Sequence, residues 1–437
     1  MIRPTPRAAW LVAATQTAAL LLMVWRRELW PASGGFGAFT LLLIALDALL
    51  GVASRRLAIK VTAPARLSVG GVGEAMVTIE QSDSARETRF ELLAEQSGAI
   101  GAPRAVWVQV DAQGRATARL RLEAARRGVI SFDALWLRWR GPLGLAERVL
   151  RTPLGQTIEV IPDVRGVRTV AIEFNSRESL AGVKPQQQKG EGAEFESLRD
   201  HAPGLDNRFI DWKRSAKHRK LLSKEFKTER NHHIILAFDT GHLMAEPIEG
   251  LARLDHAINA GLLLSWAALR SGDFVGSFGF DARVRQFVQP GRGMPWFMRL
   301  QRGAAQLAYQ SQETNFTLGL AELNMRLKRR TLVILFTEFI DTTTAELLIE
   351  SLQTMANRHA VVFVTLRDPQ LGDIVDAKPD GFRPVAEAVV AHDFLRDRAI
   401  VLERLERLGV HCLEAPAQGL SASLVNRYLS IKERGLL

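Results

Sequence analysis

Two long segments without charge near the start of the chain constrain its fold more than any other feature. Residues 8–25 contain no charged side chain, and residues 36–53 contain only Asp47. A helix of that length spans about 27 Å, close to the thickness of the hydrocarbon core of a bilayer. Because only a short segment separates them, we predict a transmembrane hairpin over residues 1–56, with spans at 8–25 and 36–53.

The flanks of this hairpin predict its orientation. The first span ends on large residues rather than on small ones, which argues against a cleaved signal peptide. Basic side chains outside the two spans outnumber those of the loop between them, which favours cytoplasmic ends: Arg3, Arg7, Arg55, Arg56 and Lys60. Asp47 is expected to face the hairpin interior or to have a partner, and a functional role is the alternative.

Overall charge limits the classes of partner. The 437 residues carry a net charge of +10, which suits nucleic acid, an anionic membrane surface or an acidic protein. Neither a zinc-finger spacing nor an RNA-binding aromatic signature is present, so nucleic acid is not expected. The single cysteine, Cys412, excludes an intramolecular disulfide.

The body of the chain changes pattern along its length. Residues 57–165 contain short alternating runs separated by glycines, which predicts an antiparallel β-sandwich. Residues 231–437 alternate continuous apolar runs with helical patterns, which predicts a doubly wound α/β sheet. Ligands of such sheets bind beyond the carboxyl ends of the strands, where Asp239, Thr337 and Glu338 are expected. Residues 368–384, rich in Pro, Gly and Asp, are expected to form a loop or lid.

Between these regions, residues 166–230 form a connector with an unusual sequence. Its basic run, 213–227, is typical of a solvated face, and a surface for an acidic partner, phosphate or lipid headgroups is the alternative. The order of short motifs resembles the signature of the bacterial "domain of unknown function 58" family. These motifs are Gly192-Ala193-Glu194-Phe195, Leu198-Arg199, Arg208-Phe209-Ile210-Asp211-Trp212 and Ser215-Ala216-Lys217.

The resemblance implies a fold, a location and a role. It implies a von Willebrand factor A-like α/β domain, a place in the bacterial inner membrane and no established enzymatic activity. It also implies a part in assembling or maturing other proteins with a MoxR-type AAA+ ATPase. The signature residues that it marks for partner binding are Glu194, Phe195, Arg199, Arg208, Asp211, Trp212, Lys213, Ser215 and Lys217. We expect Trp212 and Phe195 to be buried against the α/β domain, and Arg199, Arg208 and Asp211 to form a polar network.

The same resemblance raises the question of a metal. A-type domains often bind Mg²⁺ through an Asp-x-Ser-x-Ser element with a distant Thr and Asp. In this chain Gly241 and Leu243 replace the two serines that follow Asp239. Thr314 or Thr317 could supply the threonine, and Glu338 stands where the last carboxylate would fall. For the degenerate set of Asp239, Thr314 and Glu338 we expect weak binding or none.

Three functions compete at this stage. The leading one is a non-enzymatic, membrane-anchored scaffold whose α/β domain binds partner proteins. The second is a metal-dependent enzyme that uses Asp239 and Glu338. The third is a binder of lipid headgroups or nucleic acid that uses residues 213–227.

Overall fold

The computed structural model divides the chain into two compact units, Met1–Ile161 and Pro162–Leu437, each described below by itself. The structure describes residues 1–25, 30–82, 88–97, 105–111, 113–163, 189–201, 210–227, 232–340, 342–377 and 381–435. The finer division into four domains stays a prediction.

Two helices dominate the start of the first unit. Helix α1 covers Pro6–Trp25 and helix α2 covers Trp30–Leu50. The segments Pro6–Val24 and Gly34–Arg56 are long and apolar enough to cross a membrane, as predicted. The helices contact each other through Thr40, whose hydroxyl lies 3.3 Å from the hydroxyl of Thr15.

Nine strands form the rest of this unit. They are β1 (Ile2–Pro4), β2 (Leu57–Thr62), β3 (Arg66–Ser68), β4 (Val72–Gln81), β5 (Arg89–Ser97), β6 (Val106–Gln109), β7 (Arg115–Glu123), β8 (Gly128–Arg140) and β9 (Ala146–Ile161). One sheet has the order β1-β9-β8-β5-β6, with β3 also paired to β9 in parallel, and the other has the order β2-β4-β7.

Alternation of apolar and polar residues explains these strands. In β7 every second residue is buried, which is the period of a strand with one face against a core. The short strands predicted from the alternating runs of this region are confirmed in β2, β4, β6 and β7. Strand β1 was not predicted, because three residues ahead of an apolar helix carry no periodic signal. The arrangement as a sandwich stays a prediction.

The second unit begins with a small hairpin. Strands β10 (Lys189–Asp200) and β11 (Leu222–Lys227) pair antiparallel, and helix α3 (Trp212–His218) lies between them in the chain. A second, minor hairpin consists of β13 (Pro247–Ile248) and β14 (Leu251–Ala252).

A six-stranded sheet with helices on both faces forms the rest. Its strands are β12 (His233–Asp239), β15 (Phe274–Phe280), β16 (Val284–Gly291), β17 (Leu332–Phe336), β18 (Ala360–Arg367) and β19 (His411–Pro416). Its helices are α4 (His242–Ala245), α5 (Arg253–Arg270), α6 (Met294–Gln306), α7 (Phe316–Arg326), α8 (Thr342–Ala356), α9 (Pro369–Asp376), α10 (Phe382–Arg407) and α11 (Leu420–Glu433).

The strand order is β16-β15-β12-β17-β18-β19, with only β16 antiparallel to its neighbour. Strands β12, β17 and β18 are almost entirely buried apolar runs, as expected for a parallel sheet covered on both faces. One core cluster includes side chains of α5, α6 and α11, and the other includes side chains of α7, α8 and α10. The alternating α/β content is therefore confirmed, and the A-type fold stays a prediction.

The predicted loop over residues 368–384 is wrong for the residues that the structure describes. Asp368 caps helix α9 by accepting a hydrogen bond from the backbone N–H of Gln370 at 3.0 Å. Helix α10 begins at Phe382, inside the predicted loop. Pro384 misled the prediction, because proline is tolerated in the first turn of a helix, where no intrahelical N–H bond is lost.

Candidate functional site

Parallel strands bring several polar side chains to one edge of the large sheet. Phe238 of β12 pairs with Phe336 of β17, which in turn pairs with Val364 of β18. Residues that follow these positions therefore lie close together at the carboxyl ends of the strands. The chain reverses its direction across the sheet at β12, so this edge is the usual ligand position of an open α/β sheet.

Asp239 lies at the centre of this edge and is buried. Its Oδ1 accepts hydrogen bonds from the hydroxyl of Thr314 at 2.6 Å and from the backbone N–H of Gly241 at 2.8 Å. Its Oδ2 accepts a hydrogen bond from the hydroxyl of Thr337 at 2.5 Å. The structure therefore brings Asp239 and Thr314 into contact and adds Thr337, which the sequence placed nearby without a role.

The environment of Asp239 changes its proton affinity. The pKa of Asp239 is raised to about 6 from an ordinary value of 3.8, chiefly by burial and to a smaller extent by the nearby charge of Asp281. The hydrogen bonds from Thr314, Thr337 and Gly241 oppose this rise. Asp239 is therefore a carboxyl group that changes protonation within the mildly acidic range.

These residues do not fit an octahedral magnesium site in the arrangement that the structure shows. Both oxygens of Asp239 accept hydrogen bonds, and Glu338 bonds elsewhere. A Cβ atom on Gly241 would lie 2.1 Å from Oγ1 of Thr314, so the position of the missing serine is filled by that threonine. We assign no chemical step to a metal here, and the predicted set of Asp239, Thr314 and Glu338 stays a prediction.

Glu338 belongs to a separate buried ion network. Its Oε1 lies 2.6 Å from Nη1 of Arg398, and its Oε2 lies 2.9 Å from Nη1 of Arg253. The hydroxyl of Thr365 donates to the same Oε2 at 3.0 Å, and Nε of Arg398 reaches Glu414 at 2.7 Å. Burial lowers the pKa of Arg398, but Glu338 and Glu414 outweigh it and hold the pKa above its usual value.

An open cavity of about 590 Å³ lies beside this network. Glu338, Arg253 and Arg398 contribute to its charged wall, and Nε of Arg253 has no hydrogen-bond partner among the described residues. Most of the remaining lining is apolar and comes from α9, α10 and the turn after β17, including Ile340, Leu371, Ile374, Val390, Phe394 and Leu395.

The first turns of α10 extend this apolar surface into solvent. Phe382 is 89% exposed and Val390 is 68% exposed, and Val385 and Val389 are also exposed. The sequence did not identify this surface, because α9 and the first residues of α10 were interpreted as a loop. Arg253 and Arg398 were missed as well, since buried arginines have no local sequence signal that separates them from solvated ones.

The signature segment places its residues in two different roles. Asp211 accepts a hydrogen bond from the backbone N–H of Arg214 at 3.1 Å and so caps helix α3. Ser215 is buried, and its hydroxyl accepts a hydrogen bond from the backbone N–H of Leu222 at 2.8 Å, which joins α3 to β11. The two residues therefore hold the helix in place.

Three other residues of this segment face solvent. Lys213 and Lys217 are exposed, and Trp212 is 66% exposed, so the predicted burial of Trp212 is wrong. Trp212 begins the short helix α3, in which Ser215 is the buried residue. Strand β10 contains positions 194, 195 and 199, but their side chains lie outside the described residues, and so does position 208. The burial of Phe195 therefore stays a prediction. The polar network of Arg199 and Arg208 with Asp211 stays a prediction as well.

Comparisons with solved structures give only distant likenesses. A CARDB domain from Pyrococcus furiosus is 11% identical, with a TM-score of 0.17, over 24% of this chain and 87% of that one. Proximal thread matrix protein 1 of the mussel byssus is 14% identical, with a TM-score of 0.26, over 45% and 46%. An uncharacterized membrane spanning protein from Vibrio fischeri is 13% identical, with a TM-score of 0.18, over 46% and 98%. Scores this low carry no argument about fold or function.

Sequence comparison is more specific. The uncharacterized protein YeaD of Bacillus subtilis (strain 168) is 28% identical over 113 residues, which span 26% of this chain and 28% of that protein. Residues 197–376, from the signature segment to the end of α9, match the model of a family described as "Protein of unknown function DUF58", and the family resemblance is confirmed over that range.

Proposed function

We propose that this protein is a non-enzymatic, membrane-anchored scaffold or assembly factor whose α/β unit binds partner proteins. The two N-terminal helices would anchor it in a bacterial inner membrane, with both ends and the remaining residues in the cytoplasm. We also propose that the chain after these helices folds as a β-sandwich followed by a von Willebrand factor A-like domain. The match to this family and the two candidate membrane helices of this chain are consistent with such a role.

One observation carries the proposal: an apolar cavity lies at the ligand edge of the sheet, beside two buried carboxylates that already have hydrogen-bond partners. Asp239 is bonded by two hydroxyls and an amide, and Glu338 is neutralised by two arginines. Beside them lies the apolar cavity between α9 and α10, which continues into exposed Phe382 and Val390. Exposed apolar patches of this kind mark sites of protein association.

The partner that we propose is a MoxR-type AAA+ ATPase, as the family resemblance implies. Its contact would be an apolar segment inserted between α9 and α10. The exposed cations of α3, Lys213 and Lys217, would form a second, polar contact with acidic side chains of the same partner. Truncation of a central apolar contact in such an interface costs about 2 kcal/mol or more of binding free energy.

Co-expression of the full chain with a MoxR-type ATPase from the same genome tests this function. Site-specific photocrosslinking from position 390 is expected to trap the ATPase, and Val390→Asp is expected to reduce its co-purification at least about tenfold, since a charge would enter the cavity. Leu347→Asp is the matched control, because Leu347 is also an exposed aliphatic residue on a helix of the same unit.

Two outcomes would contradict the proposal. Absence of the ATPase from the wild-type preparation would remove the partner. Equal recovery with Val390→Asp and with wild type would remove the cavity as the contact, and a parallel loss in Leu347→Asp would show that the effect is not specific to this surface.

A further inference from the structure

Both ends of the membrane hairpin return to one loop of the first unit. Strand β1, just before α1, pairs with β9, and the backbone N–H of Thr5 donates to the carbonyl of Leu145 at 2.9 Å. At the other end, Asp47 of α2 accepts hydrogen bonds from the backbone N–H groups of Leu143 at 2.6 Å and of Leu145 and Ala146 at 2.7 Å. The loop 141–145 therefore lies at the root of the two apolar helices.

The packing at this root is close. A Cβ atom on Gly141 would lie 2.6 Å from a carboxylate oxygen of Asp47, so only glycine permits this approach. The indole N–H of Trp139 donates to the carbonyl of Val52 at 3.1 Å, which fixes the chain just after α2. Leu143, at the tip of the loop, has its side chain exposed. If the helices span a membrane, this loop lies at the level of the lipid headgroups.

A second cavity of about 590 Å³ opens beside this root, between the end of α2 and strands β5, β6 and β8. Three arginines line it, Arg89, Arg138 and Arg140, and no carboxylate does among the described residues. Arg138 is paired with Glu91. Within the part of the chain that the structure describes, Arg89 and Arg140 have no carboxylate partner, so the cavity retains two uncompensated positive charges.

An aromatic side chain completes the cavity. Trp107 is 49% exposed, and the guanidinium carbon of Arg89 lies 5.0 Å from the centroid of its ring. Tryptophan is enriched where a protein meets the headgroup region, because its ring is apolar while its N–H remains hydrated. The stacked arrangement also holds the guanidinium of Arg89 toward the cavity without neutralising it.

We propose that this cavity binds the phosphate of an anionic phospholipid headgroup, with Arg89 and Arg140 as its ligands. Guanidinium groups present paired N–H donors that match two oxygens of one phosphate, and positively charged pockets next to membrane helices attract anionic lipids. Free inorganic phosphate has the same chemistry, but the position at the root of the helices favours the lipid. This inference rests on the membrane anchoring of the proposed function.

Native mass spectrometry of the full chain tests it. The protein is reconstituted into nanodiscs of phosphatidylcholine with a minor fraction of phosphatidylglycerol, released into detergent and analysed for bound lipid. Wild type is expected to retain phosphatidylglycerol, and Arg89→Gln/Arg140→Gln is expected to retain at least about tenfold less, since two charge-assisted hydrogen bonds are lost. Arg89→Lys/Arg140→Lys should keep part of the binding through charge alone.

The matched control is Arg115→Gln/Arg119→Gln, which removes the same charge from exposed side chains of β7 in the same unit. It should retain phosphatidylglycerol as wild type does. Equal retention by wild type and by Arg89→Gln/Arg140→Gln would overturn the inference, as would equal loss in the control. Displacement of the lipid by millimolar inorganic phosphate, or phosphate binding without lipid retention, would assign the cavity to free phosphate.

Incorporation of the wild-type chain into nanodiscs tests the membrane anchoring separately. Failure of the wild-type chain to enter nanodiscs would overturn the membrane anchor and this inference with it. Stable incorporation without a difference between the variants would overturn the headgroup site alone.

Discussion

Asp47 of the first unit and Glu338 of the second are both buried carboxylates, but their partners differ in kind. Asp47 accepts hydrogen bonds only from backbone N–H groups of one loop, and Glu338 contacts the guanidinium groups of Arg253 and Arg398. The first arrangement ties a helix to a loop through neutral dipoles. The second ties strand ends to two helices through full charges.

Asp239 differs from both, because its partners are two hydroxyls and one amide and no cation contacts it. Its pKa rises to about 6 as a result of burial. The difference shows that partners of full charge make a buried carboxylate part of an ion network, whereas the neutral donors around Asp239 leave its pKa raised by burial into the mildly acidic range.

The largest expected effect comes from Glu338→Gln, which keeps the shape of the side chain and removes its charge. Two arginines would remain buried with less compensation, so we expect the free energy of unfolding of the α/β unit to fall by about 3–5 kcal/mol. Thermal unfolding of the full chain in detergent, followed by hydrogen exchange in β17 and β18, measures it. Glu346→Gln breaks the exposed pair with Arg404 and should leave this unit's melting temperature unchanged. An equal loss of stability in Glu338→Gln and Glu346→Gln would contradict the distinction between a buried ion network and an exposed ion pair.

A somewhat smaller effect is expected from Asp47→Ala, which removes the acceptor of three backbone N–H groups. Because buried donors without partners are costly, the loop 141–146 should lose on the order of 3 kcal/mol of protection against hydrogen exchange. Thr40→Ala is the control on the same helix, since it removes one hydroxyl contact with Thr15 and should not affect the loop. Unchanged exchange at Leu143 and Ala146 in Asp47→Ala would show that the carboxylate does not hold the loop.

The smallest of the three effects concerns pH and Asp239. The folded-state pKa of about 6 lies above the ordinary value of 3.8, so the folded state binds more protons between these values. The contribution of Asp239 to the free energy of unfolding is fully present below pH 3.8 and is lost as the pH rises through about 6. This contribution amounts to at most about 3 kcal/mol. Asp239→Asn should abolish this dependence, as measured by urea unfolding of the α/β unit across that range. A stability that rises with pH in wild type but not in Asp239→Asn would contradict the raised pKa, because it would mean that the folded state favours the ionised form of Asp239.

Local patterns predicted most of the elements but only part of the site. The buried runs that became β12, β17 and β18 were predicted because a parallel strand covered on both faces is continuously apolar. Asp239 and Thr314 were paired through a family resemblance. The role of Glu338 could not be predicted, since its partners Arg253 and Arg398 are distant along the chain and have no sequence pattern of their own.

In the signature segment, too, a local pattern predicted one feature and failed to predict another. Asp211 directly before a short helical run is the usual residue type of a helix N-cap, and the structure uses it so. Burial of Trp212 was predicted because the segment directly precedes the strand that ends at Asp239, and the prediction is wrong because Trp212 lies 66% exposed on a short helix.

The sequence by itself determined the two apolar helices, the change from alternating to continuous strands and the residues at the strand ends, because each depends on neighbours within a few positions. Only the tertiary structure decided which charges are compensated. It placed Asp47 on the amides of a loop some hundred positions away, it surrounded Glu338 with arginines, and it left Arg89 and Arg140 without a carboxylate among the described residues. Electrostatic interactions act through space, and the distance along the chain does not determine which side chains meet.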